Sequence, residues 1–162
     1  MTAPLLLAID PGPVESAWVV YDPERGDLVG FAKVVNDKLL RLLRAISFVI
    51  GLVVIEQVVS YGMPVGAEVF ETVFWSGRFA EACQPVHVER LPRLAVKLAL
   101  CHDSRARDAS VRAALLDRYG GKAQAIGSKA APGPLRGVTG DVWSALALAV
   151  AWSDLHGEQD AA

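Results

Sequence analysis

Two short apolar runs each end in an acid. Leu5–Ile9 leads into Asp10, followed at once by Pro11-Gly12-Pro13, and Ile50–Ile55 leads into Glu56. An apolar run this short, bounded by a turn, reads as a buried strand, so each carboxylate stands where a buried sheet meets solvent. Two such carboxylates anchor a hard cation if they approach each other. Asp141 is the third candidate. It opens the run 142–152, which is apolar nearly all round and therefore reads as a deeply packed helix. Aspartate is also a favoured helix cap, so both readings of Asp141 stand. Divalent ions held by Asp10, Glu56 and Asp141 suit phosphodiester hydrolysis. Water is deprotonated, the leaving 3′ oxygen is stabilised and charge on the pentavalent transition state is offset. The all-oxygen set points to Mg²⁺, with Mn²⁺ as a substitute. The Cys and His ligands that suit zinc are absent from it.

The cations are unevenly placed. Residues 84–136 carry 10 Lys/Arg against 4 Asp/Glu, residues 1–83 carry 6 against 10, and residues 137–162 carry none against 4. A basic middle beside acidic ends is the arrangement a metal-dependent nuclease needs, because phosphates must approach carboxylates. Ordinary solvated helix faces are the alternative. Lys97, Arg105 and Arg107 are the leading phosphate contacts, followed by Arg93, Arg112 and Lys129. Accessory candidates are His102 for proton transfer and Asp108 for the acidic site, with capping or solvent exposure the alternative for each. Ser144, one turn beyond Asp141, is either a water-mediated contact or a small packing residue.

The elements that must position these groups follow from periodicity. Residues 4–10, 16–21 and 28–35 read as three strands of an antiparallel meander broken by the strong turn at 22–27. Asn36 or Asp37 is the expected cap of a helix over 38–48, with Leu39, Leu42, Leu43, Ile46 and Val49 inward. That helix is a crossover, which places the Glu56 strand parallel to the first and brings Asp10 and Glu56 to one sheet edge. Residues 57–64 form a loop beside the site, in a position that favours substrate contact. A helix over 65–82 follows, with Val65, Val69, Val73 and Phe74 as its core stripe and Phe70 and Trp75 beside it. These aromatics read as core rather than as base-stacking residues. Residues 85–89 read as a short strand. A short helix from Pro92 covers Leu94, Val96, Leu98 and Ala99, with Arg93 and Lys97 exposed. A longer helix runs from a Ser104 cap to Tyr119, burying Val111, Leu115 and Leu116. Residues 120–139 read as a long loop, of a kind that is often functional. The final helix covers 141–155.

The 162 residues fit one domain, 1–156, with a frayed tail at 157–162. Apolar residues make up 52% and charged residues 21%, which excludes a disordered chain. The N-terminal run is too short to span a membrane and lacks the pattern of a signal peptide. Cys83 and Cys101 have no metal-ligand spacing and suit a reducing compartment, so a cytoplasmic setting is expected.

Taken as an ordered set, these residues resemble the RuvC-like resolvases, Holliday-junction endonucleases of the ribonuclease H superfamily. The resemblance covers nearly the whole chain. Ala8-Ile9-Asp10-Pro11-Gly12 is similar to the family's first catalytic strand, and Val54-Ile55-Glu56-Gln57 to its second acidic motif. Val96-Lys97 with Arg105 to Asp108 is similar to the basic segment that handles DNA. The stretch Asp141 to Ala147 is similar to the start of the C-terminal catalytic helix. Residues 107–112 and 131–135 look most like the small phage-type members. The resemblance implies an α/β, ribonuclease H-like fold with a five-stranded mixed sheet flanked by helices. It further implies a homodimer, Mg²⁺ and paired nicks across a four-way junction, in a bacterial or phage-infected cell. On this resemblance helix 65–82 contributes to the dimer face, and Tyr61 is a wedge or stacking residue at the junction centre. Two departures stand out. The family's last helix often carries two aspartates three apart, and Ser144 occupies the second position here. Ala17 stands where a glycine is usual. The alternatives are a related nuclease acting on flaps, forks or RNA–DNA hybrids, and a junction-binding protein without catalysis.

Overall fold

The computed structural model describes residues 4–46 and 49–157. Among these residues the elements run β1 (Leu5–Asp10), β2 (Glu15–Asp22), β3 (Asp27–Val35), α1 (Asn36–Ile46), β4 (Ile50–Gln57), α2 (Ala67–Ala82), β5 (His87–Pro92), α3 (Arg93–Cys101), α4 (Asp108–Arg118), α5 (Lys122–Ile126) and α6 (Val142–Gly157). The strands form one mixed sheet in the order β3-β2-β1-β4-β5. The first three make the expected antiparallel meander. β4 then joins β1 in parallel, and β5 joins β4 in parallel. Parallel neighbours need a crossover, which α1 and α2 supply. This is the α/β architecture expected, a five-stranded mixed sheet flanked by helices.

Alternation along the strands sorts side chains between two layers. Leu7, Ile9, Val53 and Ile55 pack with Leu39 and Leu43 of α1 and Phe79 of α2. Leu6, Ala8, Ala17, Val19 and Val54 pack on the opposite face against α6 and residues of α3, α4 and α5. In α6, Val142, Trp143 and Ala145 through Ala151 are all buried. Its four alanines in this stretch let the helix lie close to the sheet, and its far end is tied to β5 where Trp152 Nε1 donates to Glu89 Oε2 at 2.8 Å. Among the described residues no helix is long and apolar enough to cross a membrane.

A buried polar knot fixes the turn after β1. Ser16 Oγ donates to Asn36 Oδ1 at 2.7 Å and accepts from the Gly12 amide at 3.0 Å. Asn36 Nδ2 donates to the Gly12 carbonyl at 2.9 Å, and the Asn36 amide donates to Val14 O at 3.0 Å. Gly12 is required by space, since a Cβ there would lie 2.3 Å from Glu15 O. Asn36→Ala removes side-chain partners from the buried Ser16 hydroxyl and from the Gly12 carbonyl. It is expected to cost about 2–3 kcal/mol and to lower Tm by roughly 5–10 °C in a thermal melt.

Several sequence expectations are corrected. Asn36 is the first residue of α1, and its side chain serves this knot rather than capping the helix. Val49 is exposed in the turn before β4. The Ile46 side chain, residues 47–48 and the tail beyond Gly157 lie outside the described residues. Gly157 itself ends α6. α2 starts at Ala67, so Val65 precedes it. It buries Phe79 fully, while Phe70, Val73 and Phe74 are exposed and Val69 is half-buried. The face that meets α1 is the one carrying Phe79, and the supposed core stripe looks outward. β5 begins at His87 because Pro85 lies in the turn where Val86 N bonds Cys83 O. Its end at Pro92 is compatible with an edge strand. In α3, Val96 is buried, Leu94 and Leu98 are exposed, and Arg93 and Lys97 are half-buried instead of exposed. α4 starts at Asp108 and not at Ser104, because the Asp103 carboxylate accepts the Arg105 amide and holds the preceding residues in a turn. The stretch 120–139 is not a plain loop. It contains α5 and a Gly127–Pro132 bridge, and it buries Ala125, Leu135 and Val138. A Cβ on Gly133 would lie 2.4 Å from Ala125 O, so glycine allows this segment to close on α5.

Candidate active site

Register decides which acids meet. Ile9 pairs with Ile55 across the parallel β1–β4 ladder, so the following residues, Asp10 and Glu56, end adjacent strands side by side. The period of two turns both carboxylates toward the α6 layer, the same face as Ala8 and Val54. Burial first, then the hydrogen bond that the protonated Asp10 donates to Glu56 and the negative charges of Glu56 and Asp141, push the Asp10 carboxyl up to about 9, against the pull of Arg93. Asp10 is thereby held as the neutral acid beside Glu56. Two carboxylates held together against electrostatic repulsion, with a third charge nearby, form a site that gains when a cation replaces the proton.

Asp141 reaches this site from the opposite layer. It directly precedes α6, and its carbonyl accepts the Ser144 and Ala145 amides. Its carboxylate does not cap the helix. It pairs with Lys33 Nζ at 2.7 Å. Lys33 belongs to β3, and the ladder places it opposite Ala17, which is itself opposite Asp10. The hydrogen bond and the charge of Asp141 raise the Lys33 ammonium above its ordinary value. Ser144 is half-buried one turn further along.

Arg93 closes the other side. It opens α3 where β5 ends, with Nε 3.9 Å from Glu56 Oε1 and Nη2 2.6 Å from Asp108 Oδ1. Its Nη1 is buried without a hydrogen-bond partner. Arg93 is thus a clamp on Glu56 and Asp108 rather than a free surface cation, and Asp108 is an exposed acid tethered to the site through it. Tyr61, Pro11, Gln57, Val58 and Val59 line a cavity of about 220 Å³ beside Glu56 and Arg93.

The basic candidates divide. Lys97 lies one turn beyond Arg93, and Arg105 and Arg107 are exposed on the segment entering α4. The Arg112 guanidinium sits 4.7 Å from the Trp143 ring centre, which brings it to the Asp141 end of α6. Lys129 is exposed on the loop after α5. His102 is not brought to the acids. It follows the last turn of α3 in the left-handed region, with φ of 55°, and faces a groove shared with Leu98, Arg118 and Asp154. The helix separates it from Arg93 by about 13 Å. Lys33 and Ser16 were not anticipated, and Asn36 was expected only as a helix cap. The signal for Lys33 was the alternation Phe31-Ala32-Lys33-Val34 combined with the meander register, which sets one β3 residue in line with Asp10.

The whole chain was compared with known proteins. No protein-family model matches the sequence, and no curated protein matches it. Among solved structures, Thermus thermophilus RuvC superposes with a TM-score of 0.70 at 18% identity, covering 96% of each chain. The chain has the RuvC fold. RuvC from the same organism in complex with a Holliday junction substrate superposes with a TM-score of 0.67 at 17% identity, again over 96% of both chains. That fold is ribonuclease H-like, the fold class that the resemblance to the RuvC-like resolvases implied.

The donor chemistry at Asp10, Glu56 and Asp141 fits a hard divalent ion, since all three offer carboxylate oxygens and Asp10 and Glu56 stand side by side on adjacent strands. Among the described residues, no three His, Cys, Asp or Glu side chains stand close enough to hold an ion in this conformation. Asp10 and Glu56 stand side by side, while the half-exposed Asp141 is paired with Lys33.

Proposed function

We propose that this chain is a metal-dependent endonuclease that resolves four-way DNA junctions by paired nicks, as a homodimer. The observation that carries the reading is the register-matched Asp10–Glu56 pair facing Asp141, on a fold shared with a protein solved on a Holliday junction. Asp10 and Glu56 are the fixed ligands for Mg²⁺ or Mn²⁺, and Asp141 is the movable third. A bound divalent ion supplies an acidified water and neutralises charge on the phosphate undergoing attack. Arg93 orients Glu56 by its guanidinium contact. Lys97, Arg105, Arg107, Arg112 and Lys129 follow the DNA backbone, a role that makes binding salt-dependent. Tyr61, exposed beside the Glu56 cavity, meets unstacked bases at the junction centre. The exposed apolar residues of α2 supply the dimer face. Segments 107–112 and 131–135 support placing the chain with the phage-type members.

The test is cleavage of end-labelled synthetic DNAs by the purified protein in Mg²⁺ or EDTA. The panel holds mobile and immobile four-way junctions, a flap, a fork, linear duplex and an RNA–DNA hybrid. Symmetric nicks confined to the four-way junctions, and lost in EDTA, are the expected result. Preferential cutting of flaps, forks or hybrid overturns the substrate assignment and keeps the metal site. Junction binding without any cutting overturns the enzymatic reading.

A further inference from the structure

Lys33 stands out because the charge count of the acidic site includes it. The position three residues after Asp141 holds Ser144 and no carboxylate, while an ammonium reaches Asp141 from β3. The contact is short, with Nζ 2.7 Å from Asp141 Oδ2, and a second acid, Glu15, lies 3.9 Å from the same nitrogen. Both partners of Lys33 are themselves half-exposed, so neither contact is locked by burial. Of the three acids Asp141 has the closest ion pair, at 2.7 Å against 3.9 Å between Arg93 and Glu56.

We propose that Lys33 is a positioning residue that competes with the divalent ion for Asp141, so that loading the site exchanges the ammonium from Asp141 to Glu15. The inference rests on the metal-dependent reading above and deepens it. In the cation-free protein Lys33 holds the third carboxylate away from the Asp10–Glu56 pair. When Asp141 turns to that pair, Glu15 gives the ammonium a second seat, since Glu15 on the adjoining strand shares the sheet face of Lys33 and lies 3.9 Å from its nitrogen. One internal cation thereby offsets the third carboxylate while the site is empty, as Arg93 does at Glu56. The consequence is weaker and more discriminating cation binding than the acids alone would give.

The test measures Mn²⁺ binding without DNA, by titration calorimetry and by the loss of the free-ion electron paramagnetic resonance signal. Wild type is compared with Lys33→Met, Lys33→Arg, Asp141→Asn and the Asp141→Asn/Lys33→Met pair. Lys33→Met is expected to bind Mn²⁺ about fivefold more tightly, the value of a well-formed exposed ion pair. Lys33→Arg, which keeps the charge, stays near wild type. With Asp141→Asn in place, removing Lys33 changes affinity far less, because the competed ligand is gone. Melting in EDTA controls for folding, and Lys33→Met is expected within about 3 °C of wild type there. Equal or weaker Mn²⁺ binding by Lys33→Met overturns the role of Lys33 alone. Absence of Mn²⁺ binding in every folded variant, wild type included, overturns the metal-dependent reading and this inference with it.

Discussion

Asp10→Asn is expected to lower cleavage of a four-way junction by at least about 10³-fold while junction binding is retained. Asp10 ends the central strand, between β2 and β4, and is the acid nearest the middle of the carboxylate group. An amide keeps its shape and its place in the sheet but carries no charge to hold a divalent ion. The basic segment and the 58–66 loop are untouched, so a gel-shift in EDTA should show wild-type affinity. Cleavage that survives the substitution would remove Asp10 from the site. Loss of binding along with cleavage would deny the separation between metal-holding and DNA-holding residues.

The same variant carries a pH signature. The folded carboxyl of Asp10 titrates near 9 against an ordinary value of 3.8, chiefly because it is buried and next because it is bonded to Glu56. Between those values the folded chain keeps a proton that the unfolded chain has released. The stabilisation is therefore present in full below the unfolded value and falls as pH rises toward 9. In EDTA, Tm should decline across this window for wild type and decline less for Asp10→Asn. At neutral pH the amide should melt at or above wild type, because it imitates the protonated acid. Mg²⁺ needs the ionised pair, so its stabilising effect on wild type should grow with pH over the same range and be lost in the variant.

The fold was legible because strong local signals agreed. Short apolar runs, a turn at 22–27 and an amphipathic crossover helix fix three antiparallel strands and one parallel addition with little freedom left. The meeting of Asp10 and Glu56 followed from that topology alone. What failed to follow were pairings set by register two strands away, as for Lys33, and the direction of a helix whose faces are both apolar. α2 has aromatics on several sides, and the side that packs is chosen by Phe79 meeting Leu39 and Leu43, a tertiary fact invisible to periodicity. His102 illustrates the converse. Proximity in sequence to Arg105 and Arg107 placed it with the basic group, while the length of α3 carries it to the opposite end from Arg93.

The outward face of α2 yields the second large effect. Phe70 is 66% exposed and Phe74 58%, with Val73, Val65 and Met63 exposed nearby. Arg78 lies over Trp75 at 4.4 Å and over one side of Phe74 at 5.6 Å, and both phenyl rings remain more than half exposed. A contiguous apolar patch of this kind is unusual on a surface that faces only water. On a two-fold axis each residue is buried twice, so losing Phe70 and Phe74 removes four phenyl groups from one interface. At about 1.5–3 kcal/mol for each side chain buried, Phe70→Glu/Phe74→Glu should weaken self-association by at least about 10³-fold. Sedimentation velocity should show a dimer for wild type and a monomer for the double variant, with a nearly unchanged Tm because neither ring is in the core. A supercoiled plasmid with an extruded cruciform then reads the functional consequence. Paired nicks within one complex linearise the plasmid, whereas independent nicks leave open circles. Wild type should give linear product and the variant chiefly open circles, since its acidic site is intact and only the coupling of two such sites is lost. A wild type that sediments as a monomer, or a variant that still linearises the plasmid, would assign this face to something other than self-association.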